Sequence, residues 1–199
     1  LYFSSIPTNN SFTGTYLIGL ASDSTTASGT TQSTLHLTLP GRSHGVSASN
    51  GKVAVSDYVN NRIMIFNRPT ANAQDAILVL GQPDFTTSTA NGCVAGSVEA
   101  PFGIALFNGA LYSASANLRR VLYWSDISAL TNGQAASQVF GQPDMTTCTS
   151  NTSGVSKTSI SDSHGLFVDP FGYLFLVDKL NYRVTINQKT ITALRTKAA

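Results

Sequence analysis

Residues 77–87 read ILVLGQPDFTT, and residues 137–147 read SQVFGQPDMTT. Gly81 and Gly141 hold the same place in these two copies and are 60 residues apart, and residues 16–23 (YLIGLASD) form a weaker copy about as far upstream. A second marker, an aromatic or histidine residue followed by Gly and an aliphatic residue, begins at His44, Phe102 and His164. Because the markers keep one order in every copy, we interpret the chain as a series of repeats.

Each repeat contains apolar runs of strand length and none with helical spacing. In the first repeat the runs lie at 45–49, 52–57, 62–67 and 76–81, with Asn50-Gly51 between the first two. Asn-Gly favours a type I′ turn between antiparallel strands, because both central residues of that turn need positive φ. The sequence therefore predicts an all-β, β-propeller-type fold of about three four-stranded antiparallel meanders, or blades. The predicted blades lie roughly at 45–82, 103–142 and 165–199, within a domain covering 1–199 that is a whole propeller or part of one.

These repeats resemble those of the NHL-repeat β-propellers. The likeness lies in the pattern Asp-x-x-Asn-x-Arg before Ile or Val, found at residues 57–63 (DYVNNRI) and again at 178–184 (DKLNYRV). The middle copy departs from it, because Ser115 and Leu118 replace the Asp and the Asn and only Arg120 remains. The resemblance implies a propeller from about residue 45 onward. It implies little about function, since propellers include enzymes, receptors and scaffolds.

Asp and Arg residues bracket a tight turn in two of the repeats, as Asp57 with Arg62 and as Asp178 with Arg183. An Asp side chain can accept turn N–H groups, and the Arg can return to its carboxylate. We therefore predict a structural role for both pairs.

The strands are unevenly distributed at the two ends of the chain. Residues 13–19 look like a fourth strand without its first three, whereas the third repeat has no counterpart of the fourth strand. Three interpretations stay open: the segment completes the last blade of its own chain, the chain is a piece of a longer propeller, or the segment adds to the open sheet of a neighbouring copy. Addition to another copy gives a ring or a filament. The candidate pairing residues are Thr13, Thr15, Tyr16, Leu17 and Ile18.

The two cysteines lie in corresponding linkers of consecutive repeats, at Cys93 and Cys148. Adjacent blades bring equivalent linkers side by side, so we predict a Cys93–Cys148 disulfide, which suits an oxidising compartment. Asn9 and Asn151 begin Asn-x-Ser/Thr sequons and are candidate glycosylation sites.

Two histidines, His44 and His164, hold the same repeat position just before the innermost strand, and Phe102 holds it in the middle copy. The family resemblance implies a channel position, where metal-dependent lyases of that family bind a metal, so both are weak metal-ligand candidates. A metal site needs three or more convergent ligands. We therefore expect structural or rim histidines, and we predict no catalytic residue, no metal and no cofactor.

Composition narrows the functional classes. Charged residues make up 11% of the chain and the net charge is +2, which does not favour a nucleic-acid surface. No apolar run is long enough for a membrane span. A low-charge chain rich in Ser and Thr indicates an extracellular or cell-surface setting, with glycans as candidate attachments. We predict a structural or interaction module whose partners are copies of itself. The alternatives are part of a propeller enzyme of the lyase or hydrolase type, or a ligand-binding receptor domain.

Overall fold

A computed structural model describes residues 14–22, 29–37 and 44–187. Within them lie eleven strands: β1 (Val46–Ser49), β2 (Lys52–Asp57), β3 (Arg62–Asn67), β4 (Leu78–Leu80), β5 (Pro101–Phe107), β6 (Ala110–Ser115), β7 (Arg120–Trp124), β8 (Gln138–Phe140), β9 (Ser163–Val168), β10 (Leu174–Asp178) and β11 (Arg183–Asn187). Two single-turn 3₁₀ helices, Ile127–Ala129 and Lys179–Asn181, are the helical elements of this part of the chain.

The strands form three antiparallel meanders with the orders β1-β2-β3-β4, β5-β6-β7-β8 and β9-β10-β11. We call these sheets blades 1, 2 and 3. Their first strands are neighbours in space, since β5 lies between β1 and β9. The protein thus has the all-β, propeller-type architecture predicted from its sequence, with blades that stand side by side and do not close a ring within the described residues.

The hairpins follow from the residues at their turns. Asn50 and Gly51 have φ values of 50° and 71°, and Asn108 and Gly109 have values of 49° and 83°. Positive φ at both central residues is the type I′ geometry that suits the twist of paired strands. Blade 3 turns differently, because the carboxylate of Asp169 accepts the N–H groups of Phe171 and Tyr173 at 2.9 and 2.8 Å.

The core lies between the blades, because alternate residues of each strand point to opposite faces. One cluster, which includes Ala54, Ile63, Leu111 and Trp124, fills the space between blades 1 and 2. A second, which includes Tyr112, Val121, Leu174 and Leu176, fills the space between blades 2 and 3. The outer face of blade 1 (Val53, Val55, Met64 and Phe66) is covered in part by Ile18 and Leu35.

Glycine permits the close approach of neighbouring first strands. A Cβ added to Gly45 would lie 2.2 Å from the carbonyl oxygen of Phe102, and a Cβ added to Gly103 would lie 2.2 Å from that of His164. No side chain fits at such distances. The Gly of the His/Phe-Gly marker is therefore required wherever a following blade packs against it.

Candidate functional site

A buried ion pair connects blade 1 to the segments on both sides of it. Arg62 Nε lies 2.7 Å from Asp57 Oδ2, and both side chains are fully buried. Arg62 Nη2 donates to the carbonyl of Thr34, before the blade, at 2.9 Å. Its Nη1 donates to the carbonyl of Phe85, after the blade. The guanidinium thus holds the linker that enters the blade and the linker that leaves it.

Blade 3 repeats this arrangement at its entry. Arg183 Nε lies 2.9 Å from Asp178 Oδ2, and Nη2 donates to the carbonyl of Ser159 at 2.6 Å. Burial would raise the pKa of Asp178, but hydrogen bonds from Asn181, from backbone amides and from Arg183 bring it below its ordinary value. The structure therefore places both Asp–Arg pairs named from the sequence in direct contact.

Blade 2 keeps the arginine without the carboxylate. Arg120 is fully buried and donates to the carbonyls of Ser97 and Met145 at 2.9 and 2.6 Å. Its Nε has no hydrogen-bond partner among the described residues. Burial lowers the pKa of Arg120 to about 10, against the opposing effect of Glu99. Blade 2 is therefore the repeat in which the Asp–Arg ion pair is incomplete.

The predicted disulfide is confirmed. Cys93 and Cys148 are joined, with their Cα atoms 6.0 Å apart. The bond links the segment between blades 1 and 2 to the segment between blades 2 and 3. Arg119 Nη1 donates to the carbonyl of Cys148 at 3.4 Å, so the cross-link lies beside the β6–β7 turn.

Residues near the start of the chain occupy the position of a fourth strand. Gly19 has a φ of 91°, as Gly81 does at the end of β4, and Gly141 has a φ of 89° at the end of β8. In each case an aliphatic side chain of the following linker closes over the glycine: Leu35 over Gly19, Val98 over Gly81 and Ile160 over Gly141. Residues 16–19 therefore stand where the last strand of a preceding blade would stand.

Hydrogen bonds to blade 1 support the same equivalence. The Leu17 N–H donates to Asn72 Oδ1 at 2.9 Å, and the Leu17 carbonyl accepts the Ala73 N–H at 3.0 Å. The Val79 N–H of β4 likewise donates to Asn132 Oδ1 of blade 2 at 3.1 Å, and its carbonyl accepts the Gly133 N–H at 3.0 Å. Residues 16–19 thus form the same kind of hydrogen bonds to blade 1 that β4 forms to blade 2.

The predicted strand at 13–19 has less regular structure than the sequence indicates. Tyr16 forms an isolated bridge, and the rest of 14–22 has no strand. Thr13 lies outside the described residues. A strand needs a partner along its length, and the described part of the chain supplies hydrogen-bond partners for Leu17 mainly through loop residues of blade 1.

In the part of the chain that the structure describes, blade 3 ends in an uncovered edge and an exposed face. Among the described residues no strand pairs with the outer side of β11. Val184 and Ile186 are 58% and 60% exposed, whereas Ile63 and Ile65, their counterparts in β3, are 0% and 1% exposed. Of the described residues, a Cβ on Gly165 would meet only Val177, at 3.5 Å. The open end of the described fold is therefore apolar.

His44 and His164 lie in a row of aromatic rings. Ring centroids are 5.7 Å apart for His44 and Tyr58, 4.9 Å for Tyr58 and Phe102, and 4.4 Å for Phe102 and His164. Neither ring nitrogen of His44 has a partner within the described ranges, whereas His164 Nε2 lies 3.2 Å from Asp162 Oδ2. Phe102 separates the histidines, and no group of three His, Cys, Asp or Glu side chains suited to a metal occurs in the described residues.

The second sequon lies in a structured turn. Asn151 has a φ of 48°. Its Nδ2 donates to Asn181 Oδ1 at 2.9 Å, and Asn181 Nδ2 donates back to Asn151 Oδ1 at 2.7 Å. The amide that would carry a glycan thus connects the linker to the β10–β11 turn. Asn9 lies outside the described residues.

None of the described helices has the length and apolar character that a bilayer crossing requires.

The packing positions of Leu35 and Gly165 could not be predicted from the sequence. Leu35 corresponds to Val98 and Ile160. These three residues share a local sequence pattern, in which a hydroxyl residue precedes an aliphatic one (Thr34-Leu35, Ser97-Val98, Ser159-Ile160). A chain so rich in Ser and Thr contains that pattern many times, so the pattern does not single out Leu35. The exposed place of Gly165 depends on how the blades pack, which no local pattern records.

No protein-family model matches the chain, and no curated protein matches it. Among solved structures, the Myxococcus xanthus glutaminyl cyclase is 18% identical over 75% of this chain and 58% of that chain, with a TM-score of 0.41. A streptogramin B lyase is 15% identical over 78% of this chain and 55% of that one, with a TM-score of 0.36. The computationally designed Ika4 protein is 12% identical over 77% and 95%, with a TM-score of 0.34. The chain spans just over half the length of the first two. The three antiparallel blades themselves show the propeller-type fold. No family model supports the narrower resemblance to NHL repeats.

Proposed function

We propose that this chain is an extracellular structural module that associates with copies of itself by strand addition. Residues 16–19 of one copy supply a fourth strand to β11 of another copy, which has none among its described residues. The observation that carries the proposal is that Leu17 and Gly19 already hold the backbone geometry of a fourth strand on blade 1.

The receiving side is the edge of β11 on which no described strand pairs. In blade 1, Ile63 pairs with Leu80 and Ile65 with Leu78, and their counterparts in β11 are Val184 and Ile186. An exposed strand edge of this kind pairs readily with an incoming strand.

The incoming segment has a side suited to that edge. Leu17 already bonds to Asn72 and Ala73 of its own blade 1. Because backbone groups of successive residues alternate in direction, the next residue, Ile18, directs its N–H and C=O to the opposite side. That side is the one that would pair with β11.

The extracellular setting is supported by the Cys93–Cys148 disulfide and by the low fraction of charged residues. Disulfides persist in oxidising compartments and are rare in the cytosol.

Sedimentation of the full chain over a range of concentrations tests the association. We expect a mass above 21.0 kDa that rises with concentration, and amide exchange at Val184 and Ile186 that slows in step with it. Ile186→Pro removes the edge N–H and should abolish association, since an edge strand tolerates Pro where its N–H faces outward. Ile186→Val keeps the N–H and an apolar side chain, and should retain association. A single-copy mass at every concentration, with fast exchange at both amides, overturns the proposal.

A second candidate function is a ligand-binding or catalytic rim on the first strands. It is favoured by His44, whose ring nitrogens are buried without a partner among the described residues. Metal analysis of protein purified without chelators, repeated with His44→Ala, separates the two candidates. Metal held by the parent protein and lost in the variant would favour the rim, and metal-free protein that associates would favour assembly.

A further inference from the structure

We propose that the Cys93–Cys148 disulfide is a site of thiol–disulfide exchange, in which an external thiolate attacks Cys148 and Cys93 leaves as a thiolate beside Arg120. The co-reactant is a small thiol that carries negative charge. Both cysteines are partly exposed, so such a thiol can reach the bond. The exchange does not depend on the proposed self-association, because it involves the linkers on either side of blade 2.

Arg120 is a buried cation without the carboxylate that the other two blades supply. In blades 1 and 3 an Asp carboxylate contacts the arginine Nε, whereas the Nε of Arg120 has no hydrogen-bond partner among the described residues. Its Nη2 donates to the neutral carbonyl oxygens of Val94 and Ser97 at 2.6 and 2.9 Å. A buried charge without a counter-ion is unfavourable. An anion that forms beside this guanidinium is therefore stabilised.

The sulfur of Cys93 is a place where such an anion can form. Arg120 Nη1 lies 3.7 Å from Cys93 Sγ and donates to it. In the disulfide this sulfur is a neutral, weak acceptor, whereas reduction makes it a thiolate, and hydrogen bonds to charged acceptors are the stronger ones. A neighbouring guanidinium lowers the pKa of a cysteine thiol below its ordinary value of about 8.5. Reduction would thus give Arg120 a counter-ion.

The two sulfurs of the bond have different surroundings. Beside Cys148 the partly exposed Arg119 donates from Nη1 to the Cys148 carbonyl oxygen, at 3.4 Å, and not to the sulfur. Asp144, in the same linker, directs its carboxylate to the N–H of Thr146 at 2.8 Å. The thiol with the lower pKa leaves faster in exchange, which favours attack on Cys148. Arg119 would attract an anionic nucleophile to that side of the bond.

Glu99 is the charge that opposes Arg120 at this site. Its carboxylate accepts the N–H of Gly92, the residue before Cys93, at 2.5 Å. A carboxylate near Cys93 disfavours a second negative charge on the sulfur. This hydrogen bond is exposed, however, so solvent and salt screen the carboxylate. Arg120 is fully buried and is screened much less, so the effect of the arginine on Cys93 should dominate.

The exchange is balanced over two steps. In the first, the sulfur of the incoming thiolate bonds to Cys148 Sγ, the bond between the two protein sulfurs breaks, and its electron pair leaves with Cys93. In the second, another thiolate attacks the incoming sulfur of the mixed disulfide and releases Cys148 as a thiolate, which takes a proton from water. Two small thiols are thereby oxidised to one disulfide, and the protein disulfide is reduced by two electrons.

Trapping the mixed disulfide in the parent protein tests the direction of attack. The oxidised chain is mixed with reduced glutathione near neutral pH, quenched with N-ethylmaleimide and mapped by mass spectrometry. We expect glutathione on Cys148 and maleimide on Cys93, in roughly tenfold excess over the reverse product. Equal amounts of the two products, or glutathione mainly on Cys93, overturn the proposal. A bond that stays intact at millimolar glutathione also overturns it.

Substitutions at Ser115 test whether Arg120 is the cause. Ser115→Asp supplies the carboxylate that contacts the arginine Nε in blades 1 and 3, and Ser115→Asn supplies a neutral side chain of the same shape. We expect the equilibrium constant for reduction by glutathione to be about tenfold lower in the Asp variant than in the Asn variant, because Arg120 then has a counter-ion before reduction. Equal constants would show that Arg120 does not stabilise the thiolate.

A matched pair of single-cysteine variants separates thiolate stabilisation from a change in fold stability. Cys148→Ser and Cys93→Ser both lack the disulfide, and the rate of alkylation is followed against pH in each. We expect the midpoint for Cys93 to lie at lower pH than the midpoint for Cys148, and to move lower still when Glu99→Gln is added to Cys148→Ser. Equal midpoints overturn the proposal. If either single-cysteine chain does not fold, the trapping experiment on the parent protein decides the question.

Discussion

Ser115 lies opposite Arg120 in the register of β6 and β7, as Asp57 lies opposite Arg62 and Asp178 opposite Arg183. Blade 2 therefore buries a guanidinium beside a hydroxyl where its neighbours supply a carboxylate. In blades 1 and 3 that carboxylate also accepts an Asn amide, from Asn60 at 2.9 Å and from Asn181 at 2.7 Å. The corresponding residue in blade 2 is Leu118. Blade 2 thus lacks both the acceptor and the donor that complete the turn in blades 1 and 3.

Restoring both groups should stabilise blade 2. We expect Ser115→Asp combined with Leu118→Asn to raise the free energy of unfolding by about 1–2 kcal/mol, because Arg120 Nε gains an acceptor and the new carboxylate gains an Asn donor. Ser115→Asp alone should gain less, since Leu118 donates nothing. Urea unfolding of the parent, single and double variants measures the effect. A double variant less stable than the parent would show that burying the carboxylate and losing the buried Leu118 side chain together cost more than the new hydrogen bonds contribute.

Asp84 should titrate well below an ordinary aspartate. The backbone amide and hydroxyl of Thr86, and those of Thr87, hold its pKa at about 2. A folded pKa below the unfolded value means that this contribution to stability is present above about pH 4. It is lost as the pH falls from there to about 2. Replacing Thr86 and Thr87 by Ala removes both hydroxyls and keeps both backbone amides, so the pKa should rise part of the way toward 3.8, as measured by NMR titration of the carboxyl carbon.

The same titration contains an internal control. Asp144 is held below its ordinary pKa by Thr146 and Thr147 in the next linker, and it should not respond to changes at Thr86 and Thr87. An Asp84 pKa that stays near 2 in the double variant would show that the hydroxyls are dispensable and that the two backbone amides hold the carboxylate.

Removing the disulfide should lower the free energy of unfolding, because the unfolded chain gains conformational entropy without the cross-link. Cys93 and Cys148 are 55 residues apart in sequence, and a cross-link closing a loop of that size contributes about 4 kcal/mol in the chain-entropy model. We expect the double variant Cys93→Ser, Cys148→Ser to unfold at a lower urea concentration, with a free energy of unfolding lower by that amount. Reductant should lower the stability of the parent to the same level and leave the variant unchanged. Equal stability of parent and variant without reductant would contradict the expectation.

Asn151 should carry no glycan in the folded protein. Its Nδ2 is held against Asn181 in a partly buried turn, so an attached sugar would have to displace that contact. Peptide mapping by mass spectrometry of folded protein from a glycosylating host tests this. Occupied Asn151 in protein as stable as unmodified material would show that the contact with Asn181 is dispensable.

The parts of this fold that could be predicted are those set by neighbours in sequence. Asn50-Gly51 and Asn108-Gly109 define hairpins through their own backbone preferences, and alternating apolar residues define the strand faces. The disulfide followed from two cysteines at matching places in consecutive linkers. These features need no knowledge of how the blades pack together.

The parts that could not be predicted depend on packing between blades. Residues 13–19 look like a strand because of their apolar run, but pairing comes from a partner sheet, and in the described part of the chain Tyr16 forms only a bridge. The stack of Phe102 on His164 and the exposure of Gly165 likewise depend on which first strand lies beside which. Sequence spacing placed these residues at equivalent positions without showing what each would contact.

The cross-link between the two linkers has a mechanical consequence. All four strands of blade 2 lie between Cys93 and Cys148, so tension applied through blades 1 and 3 passes across the sulfur–sulfur bond and bypasses blade 2. Pulling the oxidised chain from its ends would therefore release about 180 Å less length than pulling the reduced chain, at roughly 3.3 Å for each of the 55 residues in the loop. The middle blade would stay folded under loads that extend its neighbours.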